Sequence, residues 1–322
     1  MPDEHPGHDA EPPRLVVDQS GHGHHRTIGE AIRASVVPGT LITVKPGIYR
    51  EALVLDRDVE IVGEATDTDA LTVTADRASV RNLTVRAVGS GDTSGAVWVQ
   101  QGRVVIEGCD LTSAIGEVVS ITGKDSAPVI RDCQIRDGKS HGVYVYEQGQ
   151  GTIEKCVISG NALAGVQIKT GGNPVIRDCE IRDGKQCGVR VYEQGQGTIE
   201  QCVISGNTFS GVAIKTGGNP VVRDCEIRDG KRSGVYVFEQ GQGTIEKCVI
   251  SGNALSGVEI SEGGNPTVRD CQIRDGKQSG VYVHDQGQGT FTGNTLTGNA
   301  NGAWVIRADA GRVTRTGNRP NA

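Results

Sequence analysis

An internal repeat limits the possible folds of this chain more than any other property. The run GVYVYEQGQGTIEKCVISGN, residues 142–161, returns almost unchanged at residues 188–207 and 234–253. Two slightly different units of 23 residues alternate, so the full pattern recurs every 46 residues. Such a period indicates a stack of similar units rather than a domain with one compact core. One cysteine marks each unit: Cys109, Cys133, Cys156, Cys179, Cys202, Cys225, Cys248 and Cys271.

Each unit contains three short runs with the pattern of β-strands. In one unit these are PVIRD, CQI and GVYVY, and in the next they are GTIEK, CVI and AGVQIK. The runs are rich in β-branched residues, alternate in polarity and are bounded by Gly, Asn or Asp-Gly. Stacked on similar neighbours, they predict an all-β fold, a single-stranded right-handed parallel β-helix (solenoid) of about ten coils with a short N-terminal capping helix.

The repeat aligns equivalent residues of successive coils in columns. Cysteine is small and usually buried, so the cysteine column is interpreted as a ladder in the core, with Asn294 in the next position. Parallel side-chain directions argue against disulfides between neighbours. Another column alternates Gly and Asn, which readily adopt positive φ, and is predicted to form a left-handed turn. Its members are Gly138, Asn161, Gly184, Asn207, Gly230, Asn253, Gly276 and Asn299.

Charged residues also form columns. Arg and Glu alternate at positions 131, 154, 177, 200, 223, 246 and 269. Opposite charges one strand apart favour this register, because a slip would bring like charges together. The charge column is therefore interpreted as structural.

The two ends differ from the repeat and suggest domain boundaries. Residues 1–14 are predicted to be disordered, 15–50 to form an N-terminal cap, 51–308 to form the β-helix and 309–322 to form a loose tail. The loop Asp18-Gln19-Ser20-Gly21 and the turn from Pro46 to Glu51 resemble the cap of pectin-lyase-like β-helix proteins. Trp304 falls in an interior valine column, where it is expected to close the last coil.

Composition excludes some classes of function. The net charge of −6 argues against a nucleic-acid partner, and no apolar run reaches the roughly 18 residues of a membrane span. Nine cysteines without a secretory signal suggest a reducing, cytoplasmic location. No cofactor or metal is predicted. His22, His24 and His25 could bind a metal, but a lone His-rich loop is more often solvated. A homo-oligomer is compatible with these patterns.

The outer face of the strand that reads GVYVY carries the candidate binding residues. Pectin-lyase-like enzymes place clustered aspartates there, but Glu259 is the sole carboxylate in the two outward columns of this chain. Aromatic rings and cations occupy them instead, and such a face suits a protein, a peptide or a glycan. The predicted binding residues are Trp98, Tyr144, Tyr146, Lys169, Arg190, Tyr192, Lys215, Tyr236, Phe238, Tyr282 and His284. Self-stacking of residues with high strand propensity is the alternative explanation.

Two other residues attract attention. Cys187 lies outside the cysteine column and is the best candidate for a reactive thiol. His141 shares its column, but an intervening coil separates the two by roughly 10 Å, too far for a nucleophile and its base. His141 is therefore expected to be a surface loop residue.

The segments AGVQIKTGGNPVIRDCEIRDGKQCGV and YEQGQGTIE resemble the β-helix repeats of F-box substrate-recruiting proteins, and the resemblance covers residues 123–299. This resemblance implies recognition more than catalysis. The favoured hypothesis is a non-catalytic scaffold that binds a protein, peptide or glycan. The alternative is a pectin-lyase-like enzyme, a lyase, hydrolase or isomerase, acting on a carbohydrate or other small substrate. Loops near Asp92, Glu117 and Asp125 are possible sources of acids for such an enzyme. Any special site is expected in the irregular coils, from about Gly63 to Gly123.

Overall fold

The repeat folds into a parallel β-solenoid. The computed structural model describes residues 12–89 and 95–320, which form about 13 turns with one short helix. The predicted number of about ten coils is too low, because the long strands of the irregular N-terminal coils hide the boundaries between turns. At ~4.8 Å per turn, the stack is roughly 60 Å long.

A helix and long strands form the N-terminal part. They are β1 (Arg14–Val17), α1 (Ile28–Ala34), β2 (Thr40–Val44), β3 (Gly47–Leu55), β4 (Val59–Val73) and β5 (Ser79–Ala87). The side chain of Thr27 caps α1 by accepting a hydrogen bond from Glu30 N. Both carboxylate oxygens of Glu51 accept from the next free amides, Ile28 N and Gly29 N, at 2.9 Å. No helix within the described ranges has the length and apolar character to cross a membrane.

Three parallel sheets run along the rest of the stack. The strands of the first sheet are Val105–Glu107, Val129–Arg131, Thr152–Glu154, Val175–Arg177, Thr198–Glu200, Val221–Arg223, Thr244–Glu246, Thr267–Arg269, Gly289–Thr292 and Val313–Thr316. Those of the second sheet are Asp110–Ser113, Gln134–Arg136, Val157–Ser159, Glu180–Arg182, Val203–Ser205, Glu226–Arg228, Val249–Ser251, Gln272–Arg274, Thr295–Thr297 and Arg319–Pro320. Those of the third sheet are Gly95–Val99, Glu117–Thr122, Val143–Tyr146, Val166–Ile168, Val189–Val191, Val212–Ile214, Val235–Val237, Val258–Ile260, Val281–Val283 and Trp304–Ile306.

The columns stack in register as the spacing predicts. Ile135 pairs with Ile158 in the second sheet, and Val143 pairs with Val166 in the third, with all four side chains buried. The column cysteines are also buried. In the charge column, Arg177 forms an ion pair with Glu154 of the preceding coil, and the same pairing recurs in later coils. The interior is therefore one continuous apolar core that follows the axis.

The Gly/Asn column does not form the predicted left-handed turn. The residues with positive φ lie one position earlier, as at Asp137 (58°) and Gly160 (66°). Asn161 instead points into the core, where its Oδ1 accepts a hydrogen bond from Gly138 N at 2.9 Å. A Cβ at position 138 would lie 2.9 Å from that oxygen, so glycine alternates with asparagine to make room for it.

Strand pairing at the C-terminal end extends to Pro320, beyond the boundary at 308 that the sequence suggested. Val313–Thr316 pairs with Gly289–Thr292. Trp304 continues the interior column after Val281, and its ring meets that of Phe291 edge-on with 5.1 Å between centroids. The tryptophan thus covers the end of the core. Residues 1–11 of the predicted disordered segment lie outside the described part of the chain.

Candidate functional site

A cavity of about 350 Å³ opens on the outer side of the third sheet. Its floor is built by neighbouring strands whose register places Arg190, Ala213, Tyr236 and Glu259 side by side. Ala213 is the short side chain in this row, so it leaves open space between the longer Arg190 and Tyr236. The full lining is Gln186, Cys187, Arg190, Phe209, Ser210, Ala213, Arg232, Tyr236, Phe238 and Glu259.

The cavity coincides with places where the repeat is not copied. In the outward column, Arg190 stands where the copies 46 residues away carry Tyr144 and Tyr236. Ala213 likewise stands where the copies carry Gln167 and Glu259. Residues that build the coil must repeat, whereas outward positions are free to differ. Departure from copying was therefore the signal by which sequence reasoning could have found Ala213, and also Phe209 and Arg232, which it missed.

Two arginines of the cavity form no ion pair with a carboxylate of the described residues. The Arg190 guanidinium lies 5.3 Å from the Tyr192 ring, and the Arg232 guanidinium lies 5.5 Å from the Phe209 ring. Within residues 129–283, the other arginines form ion pairs: Arg131, Arg136, Arg177, Arg182, Arg223, Arg228, Arg269 and Arg274. Stacking on rings holds a guanidinium in place without using its N–H donors. These two arginines are therefore suited to hold an anionic ligand.

A carboxylate and an imidazole meet at the C-terminal side of the cavity. Glu259 Oε2 accepts a hydrogen bond from Ser233 Oγ at 2.5 Å, and Glu259 Oε1 lies 3.4 Å from His284 Nε2. The His284 ring stacks on Tyr282, with 4.5 Å between centroids. The side chains of His284 and Glu259 remain 26% and 19% exposed. Both groups are thus oriented by neighbours yet accessible, as a proton acceptor and donor must be.

Tyr236 contributes a phenol to the same end of the cavity. Its hydroxyl lies 2.9 Å from Ser261 Oγ, and its ring stacks on Phe238 with 4.3 Å between centroids. Burial raises the pKa of Tyr236, and the negative charge of Glu259 acts in the same direction. The phenol therefore stays protonated at neutral pH.

Cys187 and His141 take different roles from those expected. Cys187 lines the cavity, but burial raises the pKa of its thiol, so a thiolate nucleophile is disfavoured. His141 is not a surface residue, because only 6% of it is exposed. Its Nδ1 accepts a hydrogen bond from Ala164 N at 3.1 Å, and burial lowers the pKa of His141 to about 4. His141 is thus a neutral structural residue.

The predicted aromatic/lysine face is less free than the sequence suggested. Lys215 Nζ pairs with Glu239 at 2.9 Å, and Lys169 Nζ lies 3.8 Å from a Glu193 oxygen. Lys169 also lies 5.8 Å from the ring centroid of Tyr144. The stacked rings of Tyr144 and Tyr146 are half-buried, as are those of Tyr192, Tyr236, Phe238 and Tyr282. Of the predicted residues, Arg190, Tyr236 and Phe238 line the cavity.

The remaining candidates lie elsewhere. Trp98 occupies the outward column of an earlier coil, in register with Ser120, and its buried indole N–H has no hydrogen-bond partner among the described residues. In the N-terminal loop, His24 Nδ1 accepts a hydrogen bond from Val16 N at 2.8 Å. Neither Glu117 nor Asp125 lines the cavity, and Asp92 lies outside the described residues. The special site expected in coils 63–123 is thus not where the cavity lies.

Comparison with known families agrees with this architecture. The profile of the family described as "right handed beta helix region" matches residues 69–195 and 164–319. The chain belongs to this family. Two solved right-handed β-helices, both alginate epimerases, are similar over most of its length. The A-module of mannuronan C-5 epimerase AlgE6 from Azotobacter vinelandii is 21% identical, with a TM-score of 0.74 over 91% of this chain and 94% of that chain. The periplasmic alginate epimerase AlgG is 15% identical, with a TM-score of 0.68 over 88% of this chain and 79% of that chain.

Two further comparisons differ in kind. The catalytic domain of a GH87 α-1,3-glucanase is 13% identical, with a TM-score of 0.63 over 97% of this chain and 70% of that chain. The F-box protein dre-1 of Caenorhabditis elegans is 39% identical over 62 residues, which are 19% of this chain and 7% of that protein. The F-box likeness therefore concerns a small fraction of the curated relative.

The preference for a non-catalytic recognition scaffold is wrong. The solved structures that cover most of this right-handed β-helix are an epimerase and a glucanase, and they favour the enzyme alternative. The prediction was wrong because it considered only which residues point outward from the third sheet. Their aromatic rings and lysines suggested a surface that was free to bind a partner. In the structure, the lysines of that stripe pair with glutamates, and titratable groups converge on a cavity instead.

Proposed function

We propose that the protein is an enzyme that acts on an acidic carbohydrate in the cavity around Ala213. The observation that carries this proposal is that Arg190 and Arg232, which form no ion pair within residues 12–89 and 95–320, share one cavity with Glu259, next to His284. A planar guanidinium binds a carboxylate through two parallel hydrogen bonds. The names of the alginate epimerases that share the fold also support an acidic sugar polymer as substrate.

Proton abstraction next to the sugar carboxylate is the reaction class that fits best. Removal of that proton places negative charge on the carboxylate, which Arg190 and Arg232 would stabilise. Glu259 or His284 would accept the proton, and the Tyr236 phenol would be a donor. Either a lyase or an epimerase reaction begins in this way.

Hydrolysis fits less well. Most glycosidases use two carboxylates on opposite sides of the scissile bond. Glu259 is the one carboxylate in the described cavity lining.

Aromatic side chains outside the cavity, among them Tyr192 and Tyr282, would bind neighbouring sugar units of the polymer along the solenoid.

The test uses the repeat as its own control. Ala213→Gln introduces the residue that the equivalent slot carries at Gln167, so the fold should tolerate it, but the longer side chain should fill the cavity. Purified protein would be incubated with alginate, polygalacturonate or neutral α-1,3-glucan in deuterated water. Nuclear magnetic resonance would follow deuterium incorporation beside the carboxylate, and ultraviolet absorbance would follow new double bonds.

We expect turnover on an acidic polymer and none on the neutral glucan. Ala213→Gln should reduce it at least ~100-fold, and Arg190→Ala or Arg232→Ala by roughly 10- to 100-fold each, the value of a charge-assisted hydrogen bond. Asn173→Ala, a change at an exposed position outside the cavity lining, should leave it unchanged. Turnover that survives Ala213→Gln would show that the cavity is not the site, and new double bonds formed equally from the neutral glucan would show that the substrate is not an acidic carbohydrate.

A further inference from the structure

The eight buried cysteines form a continuous column of thiols inside the solenoid. Successive members lie in adjacent coils, because the strand residues next to them pair in register, as Gln134 does with Val157 beside Cys133 and Cys156. Because adjacent parallel strands lie ~4.8 Å apart, neighbouring thiols face each other along the axis. The column consists of Cys109, Cys133, Cys156, Cys179, Cys202, Cys225, Cys248 and Cys271.

Backbone carbonyl oxygens lie next to each column sulfur and accept the proton of its thiol. The Cys156 thiol donates to Glu154 O at 3.2 Å, and the other column thiols donate to the corresponding carbonyl at 3.1–3.4 Å. Glu154 O also accepts a hydrogen bond from Asp132 N at 3.2 Å. Deprotonation of Cys156 would therefore leave Glu154 O with a partner, while a second carbonyl, Ile130 O, lies 3.6 Å from the same sulfur.

The end of the column shows which backbone donor is directed along it. The Oδ1 of Asn294 accepts a hydrogen bond from Cys271 N at 2.9 Å. By the same stacking, the backbone N–H of Cys109 is directed toward the column position of Cys133 in the next coil. A donated N–H favours the anionic form of the acceptor. The column therefore combines proximity, acceptor geometry and a preformed donor for thiolates.

The spacing fits one kind of metal coordination. Two metal–sulfur bonds of ~2.3 Å in a straight line span ~4.6 Å, and adjacent parallel strands lie ~4.8 Å apart. Within residues 12–89 and 95–320, no three His, Cys, Asp or Glu side chains converge on a point that could hold a metal ion. We propose that pairs of neighbouring column cysteines form binding sites for a thiophilic cation with linear, two-sulfur coordination, such as Cu(I), Ag(I) or Hg(II).

Binding is an exchange of protons for metal. Two thiols and Ag(I) give a bis-thiolate complex of charge −1 and two released protons, without any change of oxidation state. With Hg(II) the complex is neutral. Because a buried charge is costly, Hg(II) should stabilise the folded protein more than Ag(I) does. A sulfur that bound a cation on each side along the axis would need an unfavourable metal–sulfur–metal angle. Each cysteine should therefore belong to one pair, and each pair should bind one cation.

The test is a metal titration of the full chain in the Cys187→Ser background, which removes the thiol of the cavity. Ag(I) and Hg(II) would be added in chloride-free buffer. Native mass spectrometry would count the ions bound, X-ray absorption would count sulfur ligands, and thermal melting would report stability. We expect one cation per cysteine pair, two sulfur ligands and a raised Tm, with the larger rise for Hg(II).

Two quadruple serine variants keep the same number of column thiols in different arrangements. Replacement of Cys202, Cys225, Cys248 and Cys271 leaves adjacent pairs, and this variant should bind two cations. Replacement of Cys133, Cys179, Cys225 and Cys271 leaves isolated thiols, and this variant should bind none with two sulfurs. If a quadruple variant fails to fold, the metal titration of the Cys187→Ser protein by itself tests the proposal. Absence of metal from its folded form, a lowered Tm or coordination by three or more sulfurs would overturn the proposal.

Discussion

The buried Gly/Asn column offers the sharpest test of how the coils are held together. Asn253 is 1% exposed, and its side chain bridges two coils. Its Oδ1 accepts from Gly230 N at 3.0 Å, and its Nδ2 donates to Ile227 O at 3.2 Å. Asn253→Ala would remove both bonds and leave the Gly230 N–H buried without an acceptor. An unsatisfied buried group costs about 1–3 kcal/mol, and the second bond adds about 1 kcal/mol.

The expected loss is therefore about 2–4 kcal/mol of unfolding free energy. Gly230→Ala perturbs the same contact sterically, because its Cβ would lie 3.1 Å from Asn253 Oδ1. Gly230 does not have positive φ, so the substitution adds no strain of that kind. In the Asn253→Ala background the contact is gone, and Gly230→Ala should cost less than in the native protein. The two changes should thus be coupled.

Urea denaturation followed by circular dichroism would measure the free energies. Because long repeats do not always unfold in one step, hydrogen exchange at the Gly230 amide would give a local readout. Asn265→Ala, at an exposed position of the same coil, is the control and should change stability by less than ~0.5 kcal/mol. Equal losses for Asn253→Ala and Asn265→Ala, or additive effects in the double variant, would refute the reasoning.

Two other predictions follow from buried rings. Burial lowers the pKa of His141 from 6.5 to about 4, so the unfolded chain binds its proton first. The contribution of His141 to the free energy of unfolding should be complete above pH 6.5, and about 3 kcal/mol should be lost toward pH 4. Urea titrations at several pH values should show a shallower decline for His141→Ser, which introduces the residue that the repeat carries at the equivalent position, Ser233. Trp304→Ala should lower stability by roughly 2 kcal/mol and speed hydrogen exchange in Val313–Thr316 more than in Val281–Val283, and uniform exchange would argue against an end-capping role.

The coil itself was predictable from particular residues. The cysteine spacing fixed the length of a turn, and the β-branched runs fixed its strands, because each coil buries the same side chains against the next. The capping helix followed from the residues after Thr27. The number of turns did not follow, because Val59–Val73 is one continuous strand that spans all three sheets and hides the period.

The Gly/Asn column shows where sequence reasoning failed. Glycine and asparagine share a preference for positive φ, but they also fit as a pair in which one makes room for the other. Only the packing of Asn161 against Gly138 separates these explanations. His141 was misplaced for a similar reason, since its slot is small and polar in other copies but buried in this fold.

By itself, the sequence determined the fold class, the register and the core columns, because those depend on residues that recur in every coil. The tertiary structure alone decided which outward side chains meet in one cavity. The cavity exists because one short side chain, Ala213, lies between Arg190 and Tyr236, and because Phe209 and Arg232 line it from the loops before the strands of Ala213 and Tyr236. Lys215 pairs with Glu239 and is therefore less free to bind a ligand. Arg190 and Arg232 differ from the other arginines of residues 129–283, because they form no ion pair with a described carboxylate. Such contacts join residues that are 20 or more positions apart in the sequence. A local sequence pattern does not show how far apart these residues lie in space.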